Sequence, residues 1–284
     1  MDLEATLHRI ENATIALWAK RDDQDCIPWA SGVLLKDKVA NYLISTSHTY
    51  SMNENELVSI GYFIGNNFYY LNETRYLLPD SNIGVCDLSI LKLSDNTIRN
   101  LENSGYSFID ETQVITCFNI NEGQYLFACG YPTSKVERLY HKDGTRVVVE
   151  VVNDEDLSIE TIDCVFENRI VNLMLPYNND DRLYKKLKFE KGTHILLDWH
   201  GKKLRDADGR KVSLQYPNGM SGCGLWMITE SFDYYLTGIM VSFFKTSSVM
   251  QATFIGYIAD FMRNELQSTI PQSESVKAKW KLQR

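Results

Sequence analysis

Residues 216–226, YPNGMSGCGLW, decide how the rest of the chain is read. Gly219, Gly222 and Gly224 crowd around Ser221, directly ahead of the apolar run at 225–229. Such glycine density marks a tight turn with an accessible backbone, and the run after it suits a β-strand. Ser221 is therefore a candidate nucleophile, although a serine hydroxyl is too weak an acid to attack a carbonyl without a base beside it.

Two upstream segments supply the missing groups. Residues 42–50, YLISTSHTY, form an apolar strand that ends in small hydroxylated residues and His48. Residues 84–93, GVCDLSILKL, put Asp87 at the entry to an alternating apolar strand. An imidazole can take the serine proton and later return it to a leaving amine, while a carboxylate behind it fixes the useful tautomer. Gly219 and Ser221 can turn their N–H groups toward one point and form an oxyanion hole. Any one of these elements recurs in many unrelated loops. Their joint occurrence in the order His, Asp, Ser, each at a strand end, is what carries the reading.

The pattern on either side of these segments is mostly β. Leu3, Leu7 and Ile10 have the spacing of a short amphipathic helix, and Ile255, Ile258, Met262 and Leu266 repeat that spacing near the other end. Between them lie short β-rich runs at 13–19, 32–35, 42–45, 57–64, 68–71 and 88–93. A second series follows at 125–129, 146–152, 169–175, 194–199, 225–229, 236–244 and 251–255. Closely spaced strands without intervening helices predict antiparallel barrels or sandwiches. The expected division is an N-terminal helix over 1–12, a first barrel over 13–94 and a polar connection over 95–122. A second barrel over 123–254 and a C-terminal helix and tail over 255–284 complete it. Residues 178–191 read as a solvated excursion.

Composition narrows the function classes. The 284 residues are 44% hydrophobic and 23% charged, as in ordinary folded proteins. A net charge of −8 gives no basic field for nucleic acid or an anionic membrane. No apolar run reaches the roughly 20 residues of a membrane span, and the start lacks a signal-peptide pattern, so the expected location is cytoplasmic. The six cysteines, Cys26, Cys86, Cys117, Cys129, Cys164 and Cys223, are dispersed and read as free thiols. His8, His141, His194 and His200 are assigned to surface or packing roles, so neither a metal nor another cofactor is expected. Trp226, Phe243 and Phe244 read as core and pocket wall.

These segments resemble the trypsin-like (chymotrypsin-fold) serine peptidases. T-S-H at 46–48, D-L-S-I-L-K-L at 87–93 and G-M-S-G at 219–222 match that family's three motifs. Residues 127–132, FACGYP, and 237–240, TGIM, match flanking strands. The resemblance extends over about residues 13–267 and is nearest to bacterial and phage domains of intracellular type. It implies two antiparallel six-stranded β-barrels with a cleft between them, a triad of His48, Asp87 and Ser221, and an oxyanion hole from Gly219 and Ser221. It also implies a substrate pocket at Gln215, Val241 and Ser242, a protein or peptide substrate, and no cofactor. Met220 stands where secreted members carry an acid, which removes their activation by a newly cut N-terminus. Gln215 stands where trypsin has Asp, so strict cleavage after basic residues is not expected. The G-x-S-x-G hydrolases are a weaker match, because Cys223 replaces their last glycine and no histidine follows Ser221. The expected function is a regulated intracellular endopeptidase, with a role in bacterial defence as a contextual suggestion. The alternative is a silent or partner-activated binding module with the same fold.

Overall fold

The computed structural model describes residues 2–20, 26–53, 56–57, 59–65, 67–78, 86–115, 120–121, 124–133, 136–139, 149–152, 159–162, 165–201, 203–206, 209–212, 214 and 216–271. Helix α1 (Leu3–Asn12) is capped by Asp2, whose side chain accepts the Ala5 N–H at 2.8 Å, and buries Thr6 and Ile10. Strands β1 (Thr14–Lys20), β2 (Ile27–Lys36), β3 (Asn41–Thr46), β4 (Ser51–Asn53) and β5 (Glu56–Leu57) follow. Next come β6 (Ser59–Ile64), β7 (Asn67–Tyr70), β8 (Thr74–Leu77) and β9 (Leu88–Lys92). Helix α2 (Asp95–Asn103) and β10 (Ile109–Asp110) lie in the passage read from sequence as a polar connection.

The second half contains β11 (Tyr125–Gly130), β12 (Val136–Leu139), β13 (Val149–Val152), β14 (Ile159–Ile162), β15 (Val165–Asn168) and β16 (Val171–Asn178). Helix α3 (Asp181–Leu187) occupies the expected solvated excursion and buries Tyr184. Strands β17 (His194–Asp198), β18 (Arg205–Asp206), β19 (Gly224–Ile228), β20 (Tyr234–Phe244) and β21 (Val249–Phe254) lead into helix α4 (Ile255–Leu266).

The architecture is the chymotrypsin-like double barrel. In the second half β11, β19, β20, β21, β17 and β16 pair in that order, and β11 pairs with β16 to close a six-stranded barrel. The first half is a curved half-barrel sheet in the order β7, β6, β1, β2, β3, β9, β8, with β10 beside β2. One departure concerns β13, which pairs in parallel with β7 and carries β14 with it, so a hairpin from the second half extends the first sheet.

Side-chain alternation explains why the two halves form one body. Val33 and Leu35 of β2, Tyr42 and Ile44 of β3, and Leu88 and Ile90 of β9 join a core cluster that also holds Leu175, Leu225 and Ile239 of the second barrel. Their neighbours Leu34, Leu43 and Leu91 point the other way, into a cluster with Ile15, Leu17, Ile60 and Phe108. Both faces of these strands are buried, which is why the runs are almost continuously apolar.

Candidate active site

Strand register brings His48 to Asp87. Strands β3 and β9 pair antiparallel from Tyr42↔Lys92 to Thr46↔Leu88, and the Ser47 N–H donates to the Asp87 carbonyl at 3.0 Å, one step further along. The chain then coils into a short 3-10 turn, Ser47–Tyr50, that lifts the imidazole over the carboxylate. Asp87 adopts φ +32°, uncommon for a non-glycine residue and tolerated best by Asp and Asn. Its Oδ2 bonds His48 Nδ1, and its Oδ1 accepts from the Ser47 hydroxyl and, at 3.2 Å, from the His48 N–H.

Burial is the largest single influence on the Asp87 carboxyl and pushes its pKa up. The hydrogen bonds from His48 and Ser47, together with imidazole charge, outweigh burial and hold the carboxyl below its ordinary value. Asp87 is therefore an anion near neutrality, and an anion at Nδ1 keeps the proton there and leaves the Nε2 lone pair free to accept. Nε2 lies 3.3 Å from the Thr46 hydroxyl, itself 2.7 Å from that of Thr49.

Ser221 arrives from the second barrel, in the turn that opens β19. Gly219 and Gly222 have φ +86° and +81°, backbone that side-chain-bearing residues rarely adopt. Close approach adds a second requirement. A Cβ on Gly219 would sit 2.5 Å from the Tyr131 carbonyl oxygen, and one on Gly222 would sit 2.1 Å from that of Ser31. The Asn218 carbonyl accepts the Thr133 N–H at 2.8 Å, so the Gly219 N–H, on the opposite side of the same planar peptide, points away from Thr133. The Met220 N–H donates to Pro217 and the Gly222 N–H to Met240, whereas the N–H groups of Gly219 and Ser221 have no partner among the described residues.

His48 and Ser221 line one cavity of about 260 Å³ walled by Met240, Val241, Ser242 and Phe243. The Ser221 hydroxyl shares this space with the imidazole without a hydrogen bond to it. Val241 and Ser242 line this cavity, and Gln215 falls outside the described residues, as do His141, Cys117, Cys164 and the tail 272–284. Cys223 is fully buried, and burial raises its thiol well above the ordinary value with Cys129 adding to the effect, so a thiolate nucleophile is disfavoured there. His194 is packed in the interior against Phe189. From sequence, Thr46 and Ser47 entered only as part of the T-S-H motif, with no role of their own, and Thr133 did not enter at all. The adjacency of Ser47 to His48 was the one available signal.

A larger cavity, about 930 Å³, lies between α1 and β16, lined by Asp2, Glu4, Glu11, Asp206 and Arg210. It offers His8 no hydroxyl or thiol partner among the described residues, so it is not a second site of this chemistry. Among the described residues no cluster of His, Cys, Asp and Glu could hold a metal, and no helix is long and apolar enough to cross a membrane.

No family model matches the sequence, and no curated protein matches it. Solved structures do resemble the chain. The Ser343Ala mutant of Rv3671c from M. tuberculosis H37Rv, in an inactive form, is 10% identical with a TM-score of 0.46, covering 94% of this chain and 92% of that one, and the Rv3671c protease in its inactive form is 10% identical with a TM-score of 0.45, covering 92% of each. The thermostable serine protease AL20 from an extremophilic microorganism is 10% identical with a TM-score of 0.46, covering 93% and 100%. A chain from work on the Sesbania mosaic virus VPg protein is 10% identical with a TM-score of 0.42, covering 87% and 89%.

Proposed function

We propose that the chain is a serine endopeptidase in which Ser221 is the nucleophile and His48 the general base, then acid. Asp87 orients the imidazole, and the N–H groups of Gly219 and Ser221 receive the oxyanion. The observation that carries this reading is the Asp87-held imidazole facing the same cavity as a serine whose own turn leaves two N–H groups without a partner among the described residues.

The chemistry follows from that arrangement. As Ser221 Oγ attacks a peptide carbonyl, its proton passes to Nε2, and Asp87 stabilises the imidazolium. The carbonyl oxygen becomes an anion, and the N–H groups of Gly219 and Ser221 can bind it. The imidazolium then gives its proton to the leaving amine, and water repeats the sequence on the acyl-enzyme. Loss of one oxyanion donor costs roughly 10²–10³ in turnover, so the turn matters nearly as much as the triad.

The cavity wall suggests the substrate. Among its described residues there is no Asp, Glu, Lys or Arg, and Met240, Val241, Phe243 and Met250 supply apolar surface. An apolar side chain at the cut would bury area there without stranding a charge. The position of Nε2 beside Thr46 favours a resting state completed when substrate or a protein partner engages the cleft, since catalytic hydrogen bonds often tighten only in the complex. We therefore propose a regulated, narrowly specific peptidase. The competing idea of a permanently silent binding module predicts no turnover under any activating condition.

Cleavage of a mixed peptide library tests the reading. Cuts after uncharged apolar residues, absent with Ser221→Ala, are expected. Cuts that persist in Ser221→Ala would overturn the mechanism, and a preference for Lys or Arg would overturn the pocket assignment.

A further inference from the structure

We propose that Ser31, a residue of β2 in the first half, is a positioning residue for the oxyanion turn of the second half. The inference rests on the peptidase reading above and extends it to a group that never touches substrate.

Four successive carbonyls, from Asn218 to Ser221, decide where the turn's N–H groups point, because each peptide plane has its C=O and N–H on opposite sides. Thr133 N–H holds the carbonyl of Asn218 at 2.8 Å, and Cys223 N–H holds that of Met220 at 3.1 Å. Ser31 holds the other two. Its hydroxyl donates to the Gly219 carbonyl at 2.9 Å, and its N–H donates to the Ser221 carbonyl at 2.8 Å. With all four planes fixed, the N–H groups of Met220 and Gly222 find internal acceptors, and those of Gly219 and Ser221 are left for the substrate.

Ser31 is itself locked. It is fully buried, its hydroxyl accepts the Tyr131 N–H at 2.9 Å, and its carbonyl accepts the Ser45 hydroxyl at 2.8 Å. One hydroxyl therefore ties β2, the segment after β11 and the nucleophile turn together. Alanine at this position keeps the N–H bond to Ser221 but strands the buried Gly219 carbonyl and Tyr131 N–H, a situation relieved most easily by rotation of the turn. The freed Gly219–Met220 peptide lies between the two that carry the Gly219 and Ser221 N–H groups, so its rotation would drag both oxyanion donors without altering the apolar pocket.

The test compares wild type, Ser31→Ala and Ser31→Cys, the last keeping a weak donor of similar size. Fluorophosphonate labelling of Ser221 is followed to completion, so that its amplitude reports the folded fraction and its rate constant reports the turn. Affinity for an uncleaved peptide is measured with each change placed in a Ser221→Ala background. The expected result is a labelling rate about tenfold or more lower in Ser31→Ala, a smaller effect than outright loss of an oxyanion donor. Peptide affinity should be unchanged and Ser31→Cys intermediate. An unchanged rate constant, or a loss confined to amplitude or to peptide affinity, would overturn the role of Ser31 and leave the peptidase reading standing. If wild-type Ser221 does not label under any activating condition, the peptidase reading fails and takes this inference with it.

Discussion

At the residue scale the site depends on how a carboxylate is kept charged while largely covered. Asp87 has a 21% exposed side chain, and His48, Ser47 and a backbone N–H supply the bonds that hold its proton off. Asp87→Asn should lower turnover by about 10⁴-fold, because an amide can stabilise the wrong imidazole tautomer while the fold is retained. The same change has a second, pH-dependent signature. The folded Asp87 carboxyl titrates below its unfolded value of about 3.9, so the unfolded state binds more protons between the two. Its contribution to stability is complete above that value and is lost as pH falls toward the folded one. Melting of wild type and Asp87→Asn should therefore converge in acid and separate above about pH 4. Parallel curves across that range would count against a native hydrogen-bonded carboxylate. That His48 and Asp87 bond and share a cavity with Ser221 was foreshadowed in sequence because each sits at a strand end beside recognisable turn or strand chemistry. Ser31, Ser47 and Thr133 were not, since a serine or threonine in a strand or turn looks the same whether it faces water or a buried carbonyl.

At the scale of elements, register does the positioning. The β3–β9 ladder brings His48 to Asp87, and the bond between Gly222 N–H and Met240 at 2.8 Å fixes the Ser221 turn against β20. Gly222→Ala is expected to be among the most damaging single changes, since it combines φ +81° with a contact of 2.1 Å to the Ser31 carbonyl oxygen. A loss of more than about 2 kcal/mol in denaturant unfolding is predicted, with activity falling further than stability does. Near-neutral stability would show that the turn is less constrained than its packing implies. Most strands were legible from apolar runs bounded by turn residues. Helix α2 was not, because Ser94 caps it but only Thr97 and Leu101 are buried along it, too few apolar positions to mark a helical stripe. The pairing of β13 with β7 was hidden for another reason: a short β-rich run does not say which sheet will accept it.

At the scale of the whole molecule, neither half owns the site. In the proposed mechanism the first contributes the base, its orienting carboxylate and Ser31, and the second contributes the nucleophile, the oxyanion turn and most of the pocket wall. The core that runs from β2, β3 and β9 into the second barrel holds those contributions in one geometry. Sequence disclosed this architecture only through the order and spacing of three short motifs, because apolar runs alone fit a sandwich as well as a barrel. The most direct measurement of the central claim is reaction with a fluorophosphonate followed by mass-spectrometric mapping of the modified residue. A single adduct on Ser221, abolished by His48→Ala in a protein that remains folded, is predicted. No adduct under any activating condition, or one that persists at full rate without His48, would contradict it.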